Sequence, residues 1–154
     1  MHNNIFQLST SPIDADEFIT ESTFEPCEID DFADYVQEPS GDLSKAYDEF
    51  PFLTLGTMFT REGDKLIYRG CSDIFRTWHK AVCKEMEKLS EEGLKDGMNT
   101  WRMGTLLNEP FTRDRFYLNE YGYHMDSSDF LQYCANNLKE GDVLYLGGVL
   151  DFHW

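Results

Sequence analysis

His79 and Cys83 have the residue types and the spacing that could bind a metal ion. They lie four residues apart in a segment with a helical pattern, so both side chains could reach one ion from the same side of a helix. A structural zinc site needs four ligands, and the other two would have to come from distant residues such as His124 and Cys134. A packed cysteine beside a solvated histidine is the simpler interpretation, and we expect no metal ion and no cofactor.

Cys71 stands directly before the same helical segment, where the positive end of a helix dipole favours a reactive thiolate. Thiol catalysis also needs a base, and the sequence does not say whether His79, His124 or His153 approaches the sulfur. A small side chain that fills the entry to the helix is the simpler interpretation. An enzyme with a Cys/His site therefore stays an alternative, and we assign no catalytic residue.

The sequence also lacks the short signatures of common enzyme classes. It contains no phosphate-binding loop, no dinucleotide-binding glycine fingerprint after a strand, no HExxH and no GxSxG. Their absence favours a protein that works by binding over one that catalyses a reaction. A second alternative is a small-molecule binder lined by the aromatic side chains between Phe116 and Tyr123.

Negative charge is the most unusual property of the sequence, and it is concentrated in the first third. The chain has 154 residues and a formal net charge of −16, and residues 1–60 carry thirteen Asp and Glu against the single basic residue Lys45. Lysine and arginine provide the attraction to phosphate backbones and to anionic lipids. We therefore expect no direct binding to nucleic acid or membranes, and a basic protein as the partner.

A short acidic stretch between residues 28 and 34 is predicted to be a docking surface, because it combines carboxylates with an aromatic anchor. Fast, electrostatically steered protein association uses this combination. A solvated acidic face is the simpler alternative for its three aspartates. With the size of the chain, this predicts a non-enzymatic binding module of the inhibitor, immunity or DNA-mimic type. The predicted contact residues are Glu28, Asp30, Asp31, Phe32 and Asp34.

An amphipathic helix from residue 72 to about 92 is the clearest predicted element. Six apolar residues recur there at spacings of three and four, which places them on one side of a helix. Ser72 is a candidate N-cap, and Gly93 stands where a left-handed residue would end the helix. We expect the apolar side to be buried, and its residues are Ile74, Phe75, Trp78, Val82, Met86 and Leu89.

The other patterns predict a single α+β domain over residues 1–154, with a mostly antiparallel or mixed sheet packed against this helix and shorter ones. Strands are predicted over 4–10, 53–60, 65–69, 113–125 with a break at Gly122, and 142–152. The second and third of these are predicted to form a hairpin with a four-residue, glycine-containing loop over 61–64. Gly147-Gly148 within the last strand indicates a bulge or a close backbone approach. Helices are predicted over 29–36, 43–50 and 128–138, with Asp42 as a possible cap of the second and Ser128 as the cap of the last.

Localisation follows from the cysteines and from the start of the sequence. Four scattered cysteines without a CxxC pair, in a chain of this size, favour free thiols in a reducing compartment. The first residues have neither the basic region nor the apolar run of a secretory signal, and no apolar run is long enough to span a bilayer. We expect a cytoplasmic protein.

Overall fold

The computed structural model describes residues 2–24, 33, 35–38, 41–55 and 57–153. In this part of the chain, seven strands form one mixed sheet that is accompanied by four α-helices, which confirms the predicted single-domain α+β fold. The strands are β1 (His2–Ser9), β2 (Tyr35–Gln37), β3 (Phe59–Glu62), β4 (Lys65–Tyr68), β5 (Arg115–Leu118), β6 (Tyr123–Met125) and β7 (Val143–His153). The helices are α1 (Leu43–Asp48), α2 (Ser72–Met86), α3 (Gly97–Asn108) and α4 (Ser127–Asn137).

β7 is the strand around which the sheet is built. It pairs with β1 along its length, and its other edge pairs with β4 near the start of the strand and with β2 at the end. The order is β3-β4-β7-β1-β5-β6, with β2 beside β7. β1 and β5 are parallel, whereas the other five pairings are antiparallel. The first and last described strands therefore lie side by side in the middle of the sheet.

Both faces of the central strands are buried. Successive residues of a strand point to opposite faces, yet Ile5 and Phe6 are each fully buried. Phe6 joins the larger core, in which six phenylalanines are almost completely inaccessible. Ile5 joins a smaller core on the opposite face with Phe24, Val36 and Phe152. The sheet thus separates two apolar layers, which explains why β1 and β7 carry apolar residues at successive positions, as in Ile5-Phe6 and Val149-Leu150.

The glycine pair in β7 forms the bulge that the sequence predicts. Phe6 pairs with Val149 and Leu8 pairs with Leu146, so Gln7 of β1 stands opposite both Gly147 and Gly148. A Cβ at Gly147 would lie 2.5 Å from the Gln7 side-chain oxygen, and one at Gly148 would lie 2.9 Å from a backbone oxygen. These contacts leave room for glycine alone.

We expect Gly148→Ala to lower the free energy of unfolding by about 1–3 kcal/mol, because a new methyl group meets backbone atoms that have no free rotation. Gly104→Ala is the control, since a Cβ there meets nothing within 4 Å and the residue lies inside α3. The control should raise stability by up to about 1 kcal/mol. Urea denaturation of both variants measures the difference, and equal stabilities would contradict the close approach at the bulge.

α2 is shorter than predicted. The α-helix ends at Met86, and then the amides of Lys88 and Leu89 donate to carbonyls three residues back, each at 3.0 Å. These shorter-range bonds tighten the chain and end the helix before residue 92. Gly93, predicted to end the helix, begins a separate 3₁₀ turn instead.

The apolar stripe of α2 is buried only in part. Ile74 is buried and Phe75 and Trp78 are half-buried against the larger core, whereas 60% of Met86 is exposed. α2 also lies against α3, since the Trp78 indole nitrogen donates a hydrogen bond of 2.8 Å to the carbonyl of Leu106. The predicted burial is therefore found in the first half of the stripe, whereas Met86 at the end of the helix contradicts it.

The predicted helix caps had mixed outcomes. Asp42 caps α1 as its segment predicts, since its carboxylate accepts a 2.9 Å hydrogen bond from an amide in the first turn. Cys71, rather than Ser72, occupies the N-cap position of α2. Asp126, rather than Ser128, caps α4, and its carboxylate accepts from an amide three residues on at 2.9 Å. The N-cap thus lies one residue before the predicted serine in α2, where it is a cysteine, and two residues before it in α4, where it is an aspartate.

Three segments differ from their predicted type or extent. The helix predicted over 29–36 is contradicted at its end, because Tyr35–Gln37 pairs with β7 as β2. The strand predicted over 53–60 begins at Phe59, after a 3₁₀ turn at Pro51–Leu53. The hairpin between β3 and β4 then has a two-residue turn, with Gly63 at a φ of 65°, instead of the predicted four-residue loop.

Candidate functional site

The five predicted contact residues lie outside the described part of the chain. They are Glu28, Asp30, Asp31, Phe32 and Asp34. The prediction that they form a docking surface therefore stays a prediction. The neighbouring acidic residues are described, and they show how the rest of the acidic third is arranged.

The described carboxylates of residues 1–60 all face solvent. Among the described residues, only Asp48 of this group forms an ion pair, which is with Arg61. The exposed acidic residues are Asp14, Asp16, Glu17, Glu21, Glu38, Asp42, Asp48 and Glu49. Negative charge of this part of the sequence is thus presented outward rather than neutralised internally.

Two of these carboxylates, Asp42 and Glu49, line a depression of about 440 Å³ beside the sheet. The start of β1, helix α1 and the end of β7 form its wall, because β1 and β7 pair at this end and α1 packs next to them. Its charged and polar lining includes His2, Asn3, Asp42, Lys45, Glu49 and Asp151.

A second depression, of about 490 Å³, meets the first at Gly41. It adds Asp16, from a 3₁₀ turn, and Glu38, which follows β2, together with the apolar side chains of Phe18 and Leu43. We call the two depressions together the acidic groove. Five carboxylates line it, and Lys45 is the one lysine or arginine among the described lining residues.

A hydrogen-bonded pair of side chains closes one end of the acidic groove. His2 Nδ1 lies 2.9 Å from Asp151 Oδ2, and the side-chain amide of Gln37 donates to the same oxygen at 3.2 Å. His2 also lies against His153, with ring centroids 5.3 Å apart. Sequence reasoning missed this pair because its members are 149 residues apart and meet only through the pairing of β1 with β7.

Asp114 adds a partly buried carboxyl group near the same end of the sheet. Its Oδ1 accepts a 2.8 Å hydrogen bond from the amide of Asn4, and its Oδ2 accepts one of 2.6 Å from the hydroxyl of Thr112. Burial nevertheless raises the pKa of Asp114, and the negative charge of Glu49 raises it further. The negative field of the acidic groove therefore reaches beyond the residues that line it.

The candidate thiol and metal residues remain apart from this groove. His79 Nε2 and Cys83 Sγ lie 3.5 Å apart on α2, as their spacing predicts. Within the described ranges, no group of three histidine, cysteine or carboxylate side chains is placed to hold a metal ion. Cys71 lies near Tyr68 and Cys134, and burial followed by a hydrogen bond with Cys71 raises the pKa of Tyr68.

The aromatic residues between Phe116 and Tyr123, the predicted lining of a small-molecule site, lie in different parts of the structure. Phe116 is fully buried in the larger core, and Tyr117 contacts Phe24 on the opposite side of the sheet. Tyr121 and Tyr123 are half exposed, and they line a depression of about 250 Å³ beside α4. The segment therefore does not line one common apolar cavity.

Comparisons of the chain with protein-family models, with curated proteins and with solved structures give no match in any of the three. In the described part of the chain, no helix has the length and apolar character needed to cross a membrane. Function must therefore be argued from the arrangement of this chain's own residues.

Proposed function

We propose that this protein is a binding module that docks a basic protein partner through its acidic N-terminal third. The observation that supports the proposal most directly is the acidic groove, in which carboxylates from separate elements line two adjoining depressions. The predicted contact residues at positions 28, 30, 31, 32 and 34 belong to the same acidic third of the sequence. They extend the proposed contact surface along the chain.

The groove has the chemistry that a basic side chain requires. Asp42 and Glu49, both on or next to α1, carry exposed carboxylates in a concave surface, where water is more easily displaced than on a convex one. Arginine and lysine form strong, charge-assisted hydrogen bonds with carboxylates. The apolar lining at Phe18 and Leu43 adds contact area for the stems of such side chains.

The net charge of −16 also favours rapid association with a positively charged partner. Attraction between exposed charges is screened over about 10 Å at an ionic strength of about 0.1 M. Binding through this surface should therefore weaken as salt concentration rises, and most of the early change should appear in the association rate.

The test compares two variants that change net charge equally. The groove variant replaces Asp16, Glu38, Asp42 and Glu49 by their amides, with Asn at 42 because Asn also caps helices. The control variant makes the same change at exposed carboxylates away from the groove lining, at Asp73, Glu87, Glu91 and Glu140. Partners recovered from lysate by the parent protein are identified, purified and measured by titration calorimetry.

We expect a basic partner whose affinity falls on the order of tenfold or more in the groove variant and little in the control. A third variant, with Asn at 30, 31 and 34, tests the predicted contact residues in the same assay. Equal affinity of parent and groove variant, or equal losses in groove and control variants, would contradict docking at the groove. A partner without an excess of basic residues would contradict the proposed chemistry.

A further inference from the structure

A third depression, with a distinct chemistry, lies between α4 and the hairpin of β5 and β6. Asp129, Gln132, Tyr133 and Asn136 follow one another at spacings of one to four residues, so they share one face of α4. That face meets Tyr121 and Tyr123 around the turn before β6. We call this 250 Å³ site the tyrosine depression, and it shares no lining residue with the acidic groove.

The three tyrosine rings are close enough to act on one small ligand. The ring centroid of Tyr121 lies 5.9 Å from that of Tyr123 and 5.8 Å from that of Tyr133. The planes of Tyr121 and Tyr133 stand at 88° to each other. A cation is attracted to an aromatic face within about 6 Å of the centroid. Tyr121 and Tyr123 are half exposed at the depression, so their accessible faces are the ones that a ligand can reach.

The charge of the lining favours a cation over a neutral or negative ligand. Asp129 supplies a carboxylate, and the described lining contains no lysine or arginine. Among the described residues Asp129 forms no ion pair with a lysine or arginine, and burial, followed by the charge of the nearby Asp126, raises its pKa. Burial, and then the charge of Glu120, also raises the pKa of Tyr133 to about 12, which keeps its hydroxyl neutral.

We propose that the tyrosine depression binds a small organic cation of the alkylated ammonium class, with its methyl groups against the tyrosine faces and Asp129 as the counter-ion. Aromatic rings combined with a carboxylate suit such an ion, because its charge is spread over apolar methyl groups that lose little hydration on binding. The amides of Gln132 and Asn136 remain available to a polar tail of the ligand.

The probe is choline, and the matched neutral probe is 3,3-dimethylbutan-1-ol, which has the same shape without the charge. Titration of the full chain, followed by NMR shifts of Tyr121, Tyr123 and α4, should show saturable binding of choline. The neutral alcohol should bind at least about fivefold more weakly, because it forgoes the cation–π attraction. Titration with a neutral hexose tests the alternative that the depression binds a sugar.

Variants test whether choline binding depends on the aromatic faces rather than on the shape of the depression or on a loss of folding. Tyr121→Leu, which removes the π-system, should weaken choline binding about fivefold or more, whereas Tyr121→Phe should retain it. Asp129→Asn should also weaken choline binding and leave binding of the neutral alcohol unchanged. Circular dichroism and thermal unfolding check that each variant is folded.

Three outcomes would overturn the proposal. They are no saturable choline binding, equal affinity for choline and its neutral isostere, and binding of the hexose in preference to choline. Retained choline affinity in a folded Tyr121→Leu variant would place any binding elsewhere. These results are independent of the groove experiment, since neither Tyr121 nor Asp129 lines the acidic groove.

Discussion

Replacing Gln7 by leucine is expected to lower the free energy of unfolding by about 3–5 kcal/mol, because several buried polar groups would lose their partner at once. Gln7 is 1% exposed and lies at the bulge between β1 and β7. Its oxygen accepts from the amides of Gly148 at 2.7 Å and Ile19 at 3.0 Å. Its nitrogen donates to the carbonyl of Glu17 and to the side chain of Asn119, both at 2.9 Å.

Leucine matches the size of glutamine but satisfies none of these groups. The two amides would remain buried without an acceptor, which is the costly situation for a polar group. Gln132→Leu on the exposed face of α4 is the matched control and should change stability by less than about 0.5 kcal/mol. Urea denaturation compares the two. A loss at Gln7 no larger than at Gln132 would contradict the described network.

Gln7→Glu distinguishes the hydrogen bonds that the Gln7 side chain accepts from those that it donates. Glutamate keeps an acceptor for Gly148 and Ile19, but its second oxygen faces the acceptors of Glu17 and Asn119. Burial and these acceptors should raise the folded-state pKa of the new carboxyl above its unfolded value. Because the folded-state pKa is raised, the variant's loss in free energy of unfolding relative to the parent is largest at neutral pH. The loss shrinks as pH falls and the carboxyl becomes protonated. Denaturation at several pH values measures this trend.

The sequence predicted those features that local chemistry determines. The cap at Asp42, the break at Gly122 and the bulge at Gly147-Gly148 could each be recognised from the residue types at these positions. The cap depends on a carboxylate that accepts a hydrogen bond from a backbone amide of the helix. The break and the bulge depend on glycine, which tolerates a positive φ and close contact with neighbouring atoms. The α+β class also followed, since strand and helix periods were both present.

The order of the strands in the sheet could not be predicted from the sequence, because it depends on pairing between strands that are far apart in the chain. Nothing local indicates that β1 pairs with β7 on one side and, in parallel, with β5 on the other. The same limitation hid the role of Gln7, which appears in the sequence as an ordinary polar residue of a strand. Its four partners come from three separate segments, around residues 17–19, 119 and 148.

The candidate site was predicted in charge but not in shape. The excess of carboxylates in residues 1–60 is a property of composition, and their exposure follows from the cost of burying charge. The groove, however, also uses Asp151 from the other end of the chain and depends on the position of α1 beside β7. The tyrosine depression was similarly hidden, because Tyr133 joins Tyr121 only after α4 packs on the hairpin.

Phe50→Ala is expected to lower the free energy of unfolding by about 3–5 kcal/mol, because it removes a large buried ring at the centre of the larger core. Phe50 is 1% exposed and follows the short helix α1. Its ring centroid lies between 5.2 and 6.2 Å from those of five other phenylalanines, and edge-to-face contacts dominate. These neighbours are Phe6, Phe52, Phe59, Phe116 and Phe130.

The loss combines apolar transfer with a cavity that surrounding rings cannot fill, since those rings are attached to the sheet and to α4. Phe50→Leu keeps most of the volume and should lose less than half as much stability as the alanine variant. Tyr123→Ala, at a half-exposed ring, should lose less than about 1 kcal/mol. Chemical denaturation of the three variants gives the order directly. If the losses at Phe50 and Tyr123 were equal, Phe50 would not be the centre of the core, and α1 would be attached to the sheet by other contacts.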